Sequence, residues 1–462
     1  MFLFGDNFMV VAANDTKTIP MLPQSALQQQ LRAIVNPTKI LSELQEQGPD
    51  LVYMPSAGYE EPLIAVHHPE ALKQMLVDDQ KIFTAPGELN GIMEPLTGSH
   101  SLLNLSGDRH RRARKLIMPS FHGERMYNYG TLIQQIIREE IENLEVGKPF
   151  LAVELTQRIT LRTIIEVVFG IRSGDRYEPI IELTRGILSR FQSPISTSFL
   201  FFSVLQKDFG AWSPWGSFVR AREALDELLY AEISDRRANP DPSRTDILSL
   251  LIAARDEDGN AMTPVELRDE LMVLLFAGHE TTAIAMAWAM YWMHHQPEIL
   301  QKVREELKTI DDNTDPMAIY RLPYLSAVGN ETLRINPVAM FTFARFATQD
   351  TRLLDYEIPA ASMLMGCIYT LHQRQDLYPN PREFRPERFL ERNYTPYEFM
   401  PFGGGARRCV GEALAQFELR LGIAAFATYG QFKLVDQKPV VAKRKGLVLS
   451  PDTGVKMRYL GN

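Results

Sequence analysis

Cysteine is nearly missing from this chain, whose 462 residues include only Cys367 and Cys409. Two cysteines cannot build a disulfide framework, and so low a count is typical of a reducing cytosol. An excess of positive charge is missing too, because 57 acidic residues outnumber 49 basic ones and give a formal charge of −8. That balance argues against general nucleic-acid binding. The composition, 45% hydrophobic and 23% charged, is ordinary for a globular protein with a large core.

The N-terminus lacks the features of a signal peptide or a membrane anchor. No Lys or Arg precedes its apolar residues, Asp6 interrupts them, and the run is far shorter than the roughly 20 residues of a membrane span. We therefore expect residues 1–20 to form a flexible tail, with residues 1–14 loose or resting on a membrane surface. With no repeat or convincing linker in sight, we expect residues 21–462 to form a single domain of a cytoplasmic protein.

Helical periodicity dominates the rest of the chain, which predicts a mainly α fold with small β-sheets. The predicted elements are a first helix ending near Gly48, a short hairpin over 51–66 with Gly58 near its turn, a helix from His68 to Val77, a loop over 83–101, mostly helical structure over 124–210, and a helix over 221–237.

Residues 400–411 read M-P-F-G-G-G-A-R-R-C-V-G. Three successive glycines let the backbone approach a flat ligand closely. Cys409 follows them just before a helix-forming run, where the positive end of the helix dipole favours the thiolate. Arg407 beside it can meet an anionic group with a planar fork of donors. A cysteine in this setting is well suited to ligate iron.

Other interpretations of Cys409 compete with an iron ligand. A lone cysteine is more often a small buried hydrophobe. The glycines could cradle a phosphate, but their spacing matches neither G-x-G-x-x-G nor G-x-x-x-x-G-K-[ST]. Zinc would need companions, and no second Cys or His lies within ten residues. The order F-x-x-G-x-R-x-C-x-G, formed by Phe402, Gly405, Arg407, Cys409 and Gly411, resembles the haem-ligand loop of the cytochrome P450 family.

This resemblance implies the P450 fold, with haem b lying between a long central distal helix and the proximal cysteine loop with its helix. Cys409 would then be the axial ligand of the haem iron. Phe402, Arg407 and Gly411 would contact the cofactor around it.

Residues 263–296 predict the long helix. Thr263, Pro264 and Glu266 form a helix N-terminal signature, and the helix should run to about His295. Its apolar middle could suit a membrane, but an ionised Glu at mid-bilayer costs about 2.5–3.5 kcal/mol. We therefore expect Glu280 to lie on a buried helix that crosses a soluble core.

The centre of that helix reads A-G-H-E-T-T, where Ala277 and Gly278 leave room for a ligand. Thr281 can hydrogen-bond back to the carbonyl of Ala277, and a helical Thr usually does no more. The stretch resembles the family's oxygen-activation motif. The resemblance implies that Thr281 hydrogen-bonds the bound oxygen and that Glu280 helps to relay protons from solvent.

The resemblance also makes two further stretches of the sequence informative. Glu331 and Arg334 form E-x-x-R, a weak motif by itself because most such pairs are solvated. F-R-P-E-R-F follows at 384–389, so the resemblance implies a buried, structural triad of Glu331, Arg334 and Arg388. In the basic helix at 107–121, it implies that Arg114 binds a haem propionate. His110 stands where the family usually has Trp, and Arg345 is a further propionate candidate.

As implied by the resemblance, the protein is a monooxygenase that inserts one oxygen atom of O₂ into a C–H or C=C bond. No flavin or iron–sulfur module is evident, so electrons would come from NADPH through a separate ferredoxin reductase and ferredoxin. Arg111, Arg112 and Lys115 are expected to dock that acidic partner. We expect a monomer without a transmembrane anchor. A haem-thiolate isomerase or peroxygenase and a non-enzymatic haem or lipid carrier are the alternatives.

Aromatic residues are concentrated over 190–218. Such a cluster more often belongs to the core of a protein than to a ligand pocket. Exposed apolar patches, however, mark a partner, a membrane surface or a lid. Together with Met340, Phe341 and Phe343, this segment predicts a large lipophilic substrate, such as a long-chain fatty acid, an alkane or a terpenoid. The 51–66 hairpin has no Arg or Lys to bind a carboxylate.

Overall fold

The computed structural model describes residues 17–20, 32, 36–47, 50–54, 63–77, 81–123, 125–191, 199–200, 202, 205–310, 315–436 and 438–461. Helices predominate in this part of the chain, which confirms the predicted fold class. Their bounds are Pro37–Gln47, Pro69–Val77, Glu94–Thr97, Gly107–Ile117, Arg125–Glu142, Ala152–Phe169, Tyr177–Arg190, Pro214–Ala238, Ile247–Ala253, Pro264–His295, Pro297–Leu307, Pro316–Tyr320, Pro323–Ile335, Ile368–Leu371, Arg388–Glu391 and Glu412–Thr428.

The strands are short and form small sheets. They are β1 Leu51–Met54, β2 Leu63–Val66, β3 Phe83–Thr84, β4 Pro149–Leu151, β5 Arg345–Ala347, β6 Thr351–Leu353, β7 Tyr356–Ile358, β8 Met363–Gly366, β9 Gln431–Leu434, β10 Ala442–Lys445, β11 Val448–Pro451 and β12 Lys456–Gly461. The largest sheet has the order β1-β2-β8-β5-β3, and its β2–β8 pair is parallel. The others are β4-β12-β9, β10-β11 and β6-β7.

The predicted hairpin is present, since Leu51 of β1 pairs with Val66 of β2 in antiparallel register. Its turn, including Gly58, lies outside the described residues. The predicted tail differs from the structure at its end: Lys17 bridges to Tyr356, and the carbonyl of Pro20 accepts a hydrogen bond from the Tyr53 amide at 2.9 Å. Residues 17–20 therefore lie on the fold. Residues 1–14 fall outside the described part.

The loop predicted over 83–101 is more regular than expected. After β3 it forms a 3₁₀-helix, Gly87–Met93, and then the short helix Glu94–Thr97. Pro86 and Pro95, which indicated a loop in the sequence, lie at the starts of these helical turns. Proline suits such positions because its fixed φ is already helical and its missing N–H is not needed there.

The central helix, Pro264–His295, begins at the predicted cap. Thr263 Oγ1 accepts from the Glu266 amide at 3.2 Å, and Glu266 Oε2 accepts from the Thr263 amide at 2.7 Å. Among the described helices it is the one long and apolar enough to cross a membrane, but 78% of its most apolar window is buried inside the protein. It packs on Ala152–Phe169 and on Glu412–Thr428, which we call the proximal helix.

Candidate functional site

The cysteine loop is held by its own backbone. The Cys409 amide donates to the carbonyl of Phe402 at 3.0 Å, and Gly403 has a φ of 69°, a value that favours glycine. A Cβ at Gly403 or Gly411 would meet no atom within 4 Å. The loop therefore presents bare backbone and the Cys409 side chain to a cavity of about 310 Å³, just before the proximal helix begins at Glu412.

The environment of Cys409 acts on its thiol in two directions. Burial raises the pKa of the thiol, while a hydrogen bond from the Gly411 amide and the charges of Arg114 and Arg408 lower it. The Cys409 side chain is nevertheless exposed to the cavity, so the thiolate expected from the sequence stays a prediction. A metal ion would secure it, because a coordinating thiol is deprotonated outright.

The central helix forms the wall opposite the cysteine loop. Ala277, Gly278, Thr281, Thr282 and Ala285 line the cavity there. Thr281 Oγ1 donates to the Ala277 carbonyl at 2.8 Å, as its position predicted. A Cβ at Gly278 would come within 2.7 Å of the Ile164 side chain, so the helix packs closely at this point.

Glu280 does not line the cavity, although it is adjacent in sequence to Thr281. Burial raises the pKa of its carboxyl, and the Lys445 ammonium, at the end of β10, lowers it. The carboxyl thus feels the charge of the β10-β11 hairpin, and it is not part of the cavity wall.

Basic side chains gather on one side of the cavity. His110, Arg114 and Arg407 line it, and Arg345 lies close behind. Burial, followed by the charges of Arg407, Arg114 and Arg345, lowers the pKa of His110 to about 4. His110 is therefore neutral at pH 7, and it can donate one hydrogen bond without adding charge.

The arginines at this side also hold backbone segments together. Arg407 donates to the carbonyls of Ala85, Leu102 and Leu105 at 2.6–2.8 Å. Arg345, fully buried, donates to the carbonyl of Gly404 at 3.0 Å. Arg114 donates to the carbonyl of Arg408 at 2.7 Å. The sequence interpretation of these side chains as anion ligands missed these structural contacts.

The E-x-x-R residues meet as a buried triad. Arg334 Nε lies 2.7 Å from Glu331 Oε2, and Arg388 Nε lies 3.0 Å from Glu331 Oε1. Arg334 also donates to the carbonyls of His372 and Pro381 at 2.8 and 2.9 Å. All three triad side chains are buried away from the cavity, so their geometry is structural.

Two carboxylates of the central helix were missed in the sequence. Glu270 Oε1 accepts from the Leu102 amide at 2.7 Å, and Asp269 Oδ2 accepts from the His100 amide at 2.8 Å. Both carboxylates are buried. They tie the segment that carries Leu102 to the central helix. The available signal was an acidic pair inside an apolar helix, which needs a partner when it is buried.

The donor set can be compared with possible cofactors. Within the described residues, no group of three or more His, Cys, Asp or Glu side chains could hold a metal ion. Cys409 supplies one sulfur ligand, so an iron bound there needs its other ligands from a macrocycle. Bare glycine backbone and basic side chains on one side suit a flat, carboxylate-bearing macrocycle. The residues fit haem.

Comparison with known proteins agrees with this geometry. The family model described as Cytochrome P450 matches residues 22–457. The chain belongs to the cytochrome P450 family. A Mycobacterium tuberculosis protein, provisionally named cytochrome P450 137, is 33% identical over 387 residues, which cover 82% of this chain and 78% of the relative. One from Mycobacterium bovis, provisionally named cytochrome P450 135B1, is 33% identical over 399 residues, with 86% and 82% covered.

The fold of this P450 also matches a solved structure. A cyanobacterial CYP120A1 with retinoic acid bound superposes with a TM-score of 0.81 at 22% identity, covering 97% of this chain and 100% of that one. As a P450, the protein is a haem monooxygenase that uses O₂ and redox partner proteins. The predictions of family, enzyme class and haem cofactor are thereby confirmed.

Proposed function

We propose that this P450 inserts one oxygen atom of O₂ into a large lipophilic substrate: a long-chain fatty acid, an alkane or a terpenoid. The observation that supports this is the apolar wall of the cavity. It is formed by Val273, Leu274, Val338, Phe341, Phe343 and Val448. Burying a ligand on such a wall gains about 0.8 kcal/mol per CH₂ group.

Only part of the predicted substrate-contact region faces this cavity. Phe341 and Phe343 line it, whereas Met340 packs away from it in a small cluster with Cys367 and Leu449. None of the described residues over 190–218 lines it. Residues 192–198, 201 and 203–204 of that segment lie outside the described part.

The bound haem supplies oxygen activation, and Cys409 thiolate ligation favours O–O cleavage. In this chain Thr281 would hold a proton at Oγ1 on the wall of the cavity. Glu280 would pass protons to it from the side of Lys445. General acid–base groups of this kind contribute about 10²–10⁴-fold to rates.

The charged residues that line the cavity bear on the polarity of the substrate. Among the described lining residues, the cationic side chains are Arg114, which lies in the helix Gly107–Ile117, and Arg407 and Arg408 of the cysteine loop. A neutral terpenoid or alkane therefore suits the apolar wall as well as an acid does. The structural neighbour binds retinoic acid, a lipophilic acid, so acids remain in the test.

The test is a spectral titration of the haem with acids, alcohols and hydrocarbons matched in chain length. Affinity should rise about fourfold for each CH₂ added, since 0.8 kcal/mol corresponds to that factor. An affinity that is flat with chain length, or a response to small polar compounds alone, would refute the lipophilic pocket. The acid and hydrocarbon arms decide the class of substrate.

We also propose a ferredoxin, reduced by an NADPH-dependent reductase, as the electron donor. The expected docking cations are already paired within the chain: Arg111 with Asp108, and Lys115 with Glu257 at 2.7 Å. These pairs are exposed to solvent, which weakens them, so a partner can compete for them.

The basic helix offers a sharper test of docking. Arg112 is held by two carboxylates, those of Asp256 at 2.6 Å and Glu266 at 3.0 Å, and is less available to a partner than the sequence suggested. Arg109 is exposed and makes no ion pair with the described residues. Arg109→Glu should slow first-electron transfer from an acidic ferredoxin and weaken its salt dependence, whereas Arg112→Gln should change it little. Equal rates of first-electron transfer in the parent and in Arg109→Glu would refute docking of the ferredoxin on the basic helix.

We propose that residues 21–462 act as one catalytic domain of a cytoplasmic monomer that touches a membrane surface peripherally. Phe202, Phe209 and Trp212 support the contact, since 50%, 62% and 83% of their surfaces are exposed. Co-sedimentation with phospholipid vesicles should fall in the Phe209→Ser/Trp212→Ser double variant. Equal sedimentation of the parent and the variant would contradict the proposed membrane contact.

A further inference from the structure

The hairpin formed by β10 and β11 has two faces with different surroundings. Leu449 of β11 packs in the small apolar cluster that contains Met340 and Cys367. Val448, its neighbour in the same strand, lines the cavity instead. Because successive side chains of a strand point to opposite faces, one face of the hairpin is turned to the apolar cluster and the other to the cavity.

The register of the hairpin places Lys445 on the cavity face. Lys445 pairs directly with Val448, and the next pair is Arg444 with Leu449. Residues paired in this way carry their side chains on the same face of a sheet. A two-residue turn sets the pairing, and its first residue, Gly446, has a φ of 58°, which favours glycine. Lys445 therefore shares the cavity face with Val448, while Arg444 lies on the other face.

The electrostatic effect of Lys445 agrees with this placement. Its charge lowers the pKa of the Glu280 carboxyl, and Glu280 belongs to the central helix, which forms one wall of the cavity. Among the described residues, however, no ion pair or hydrogen bond engages the Lys445 ammonium. The side chain is half-buried, so the ammonium has lost part of its water without gaining an anion in contact. An anionic group of a ligand can take that position.

The cations that line the cavity are engaged in other contacts. Arg407 donates to the carbonyls of three residues, Arg114 donates to the carbonyl of Arg408, and Arg408 pairs with Glu412 at 2.6 Å. Lys445 lies on the hairpin instead, apart from the cysteine loop and from the helix Gly107–Ile117. It is therefore a cation that a substrate can meet without competing with these contacts.

The surroundings of Lys445 in the sequence are strongly basic. Residues 437–451 contain Lys438, Lys443, Arg444 and Lys445 but no Asp or Glu, although the whole chain has a formal charge of −8. A local cluster of one sign attracts ligands of the other sign. The sequence interpretation sought a cation for a carboxylate in the 51–66 hairpin and found none, whereas this later hairpin carries four in and beside its strands.

We propose that Lys445 binds the carboxylate of the substrate, which makes the substrate a lipophilic acid rather than a neutral hydrocarbon. Within the described structure Lys445 does not itself line the cavity, so the carboxylate is held at the edge of the cavity beside Val448. The hydrocarbon part then lies against the apolar wall. A hydrogen bond between an ammonium and a carboxylate is stronger than one between neutral groups. The proposal rests on the lipophilic substrate proposed above and selects the acids among its candidates.

Equilibrium dialysis of the haem-loaded protein with dodecanoic acid and with methyl dodecanoate tests this contact. The two probes share the acyl chain, and at neutral pH only the acid is charged. Lys445→Met should lower the affinity for the acid about tenfold and change that for the ester less than about twofold. An affinity for the acid that Lys445→Met leaves unchanged overturns the proposal. So does an equal loss for both probes, because that loss would come from packing.

Lys443→Met is the matched control. Lys443 is exposed on the same face and pairs with Ser450, which is not among the residues described as lining the cavity. This variant removes the same charge from the hairpin and should change the affinity for either probe less than about twofold. An equal loss of acid affinity in Lys443→Met and Lys445→Met would show general attraction by the basic hairpin, and it would overturn a specific contact.

Reversal of the charge gives a test that damage to the fold cannot mimic. Lys445→Glu should bind dodecyltrimethylammonium about threefold or more tightly than the parent does, while its affinity for dodecanoic acid falls. This gain decides the question even if Lys445→Met loads little haem. A cationic probe that binds the parent and Lys445→Glu equally would overturn the proposal.

Failure of this contact can be distinguished from failure of the proposed function. A lipophilic substrate requires that the affinity for methyl esters rises with chain length, whichever side chain stands at position 445. Ester affinities that are flat with chain length would refute the lipophilic pocket. A rising ester series, together with an acid affinity that Lys445→Met does not change, would refute the role of Lys445 alone.

Discussion

His372 Nε2 accepts a hydrogen bond from the backbone amide of Met400 at 3.0 Å, and both residues are buried. Met400 opens the cysteine loop, while the carbonyl of His372 is bound by Arg334 of the charged triad. Burial, with the charge of Arg334 next, lowers the pKa of His372 to about 3, so its ring is neutral and can accept. His372 thus joins the triad to the loop that presents Cys409.

His372→Phe should therefore weaken the cysteine loop. The ring can still stack on Phe399, but the buried amide of Met400 loses its acceptor, which costs about 1–3 kcal/mol. Haem content and the urea midpoint should both fall. His372→Gln offers an acceptor again and should recover part of the loss. Equal loss in both variants would show that the hydrogen bond is unimportant.

Cys409→Ala should abolish the strongly red-shifted Soret band of the reduced CO adduct, because that band requires thiolate ligation. Cys367→Ala is the matched control, since Cys367 is buried away from the cavity. The CO-difference spectrum distinguishes them. A normal spectrum in Cys409→Ala would contradict the ligand assignment.

Thr281→Ala should bind haem and substrate but divert electrons to peroxide. The reason is that the hydroxyl on the cavity wall is lost, along with its proton. Product formation should fall by about 10²-fold or more while NADPH use persists. Thr281→Ser keeps the hydroxyl and should remain largely coupled. Product per NADPH, measured with peroxide, checks both; full coupling in Thr281→Ala would favour a peroxygenase-like reaction.

Glu331→Ala should yield little haem-loaded protein. It strands the buried guanidinium groups of Arg334 and Arg388, at a cost of about 3–5 kcal/mol. Glu43→Ala removes one partner of Arg32 in a partly exposed ion pair and should cost at most about 1 kcal/mol. Haem per protein after purification is the measurement. A fully loaded Glu331→Ala protein would contradict the structural role.

Acid should destabilise the protein through its buried histidines. Burial lowers the pKa of His279 to about 4 and of His372 to about 3, so the folded state binds fewer protons than the unfolded one below about pH 6.5. Their contribution is full above that pH and is lost as pH falls towards 4. His279→Gln cannot titrate and should lose less stability than the parent between pH 7 and 5 in urea unfolding. An identical loss of stability in the variant and the parent would show that other groups cause the acid sensitivity.

Much of the fold and part of the site could be predicted from local patterns. The cap at Thr263, the helix Pro323–Ile335 and the paired strands β1 and β2 depend on residues close in sequence. The loop predicted over 83–101 was wrong in part, because a proline signal does not distinguish a loop from the start of a helical turn.

The sequence by itself determined which chemistry this protein carries. The spacing from Phe402 to Gly411 and the stretch A-G-H-E-T-T are local arrangements, and local backbone geometry decides what they can do. Tertiary structure alone decided which distant groups meet. It turned Met340 away from the cavity, paired Arg112 with two carboxylates, and placed Met400 on His372. Burial, which sets the pKa values of these groups, arises only when segments far apart in sequence pack together.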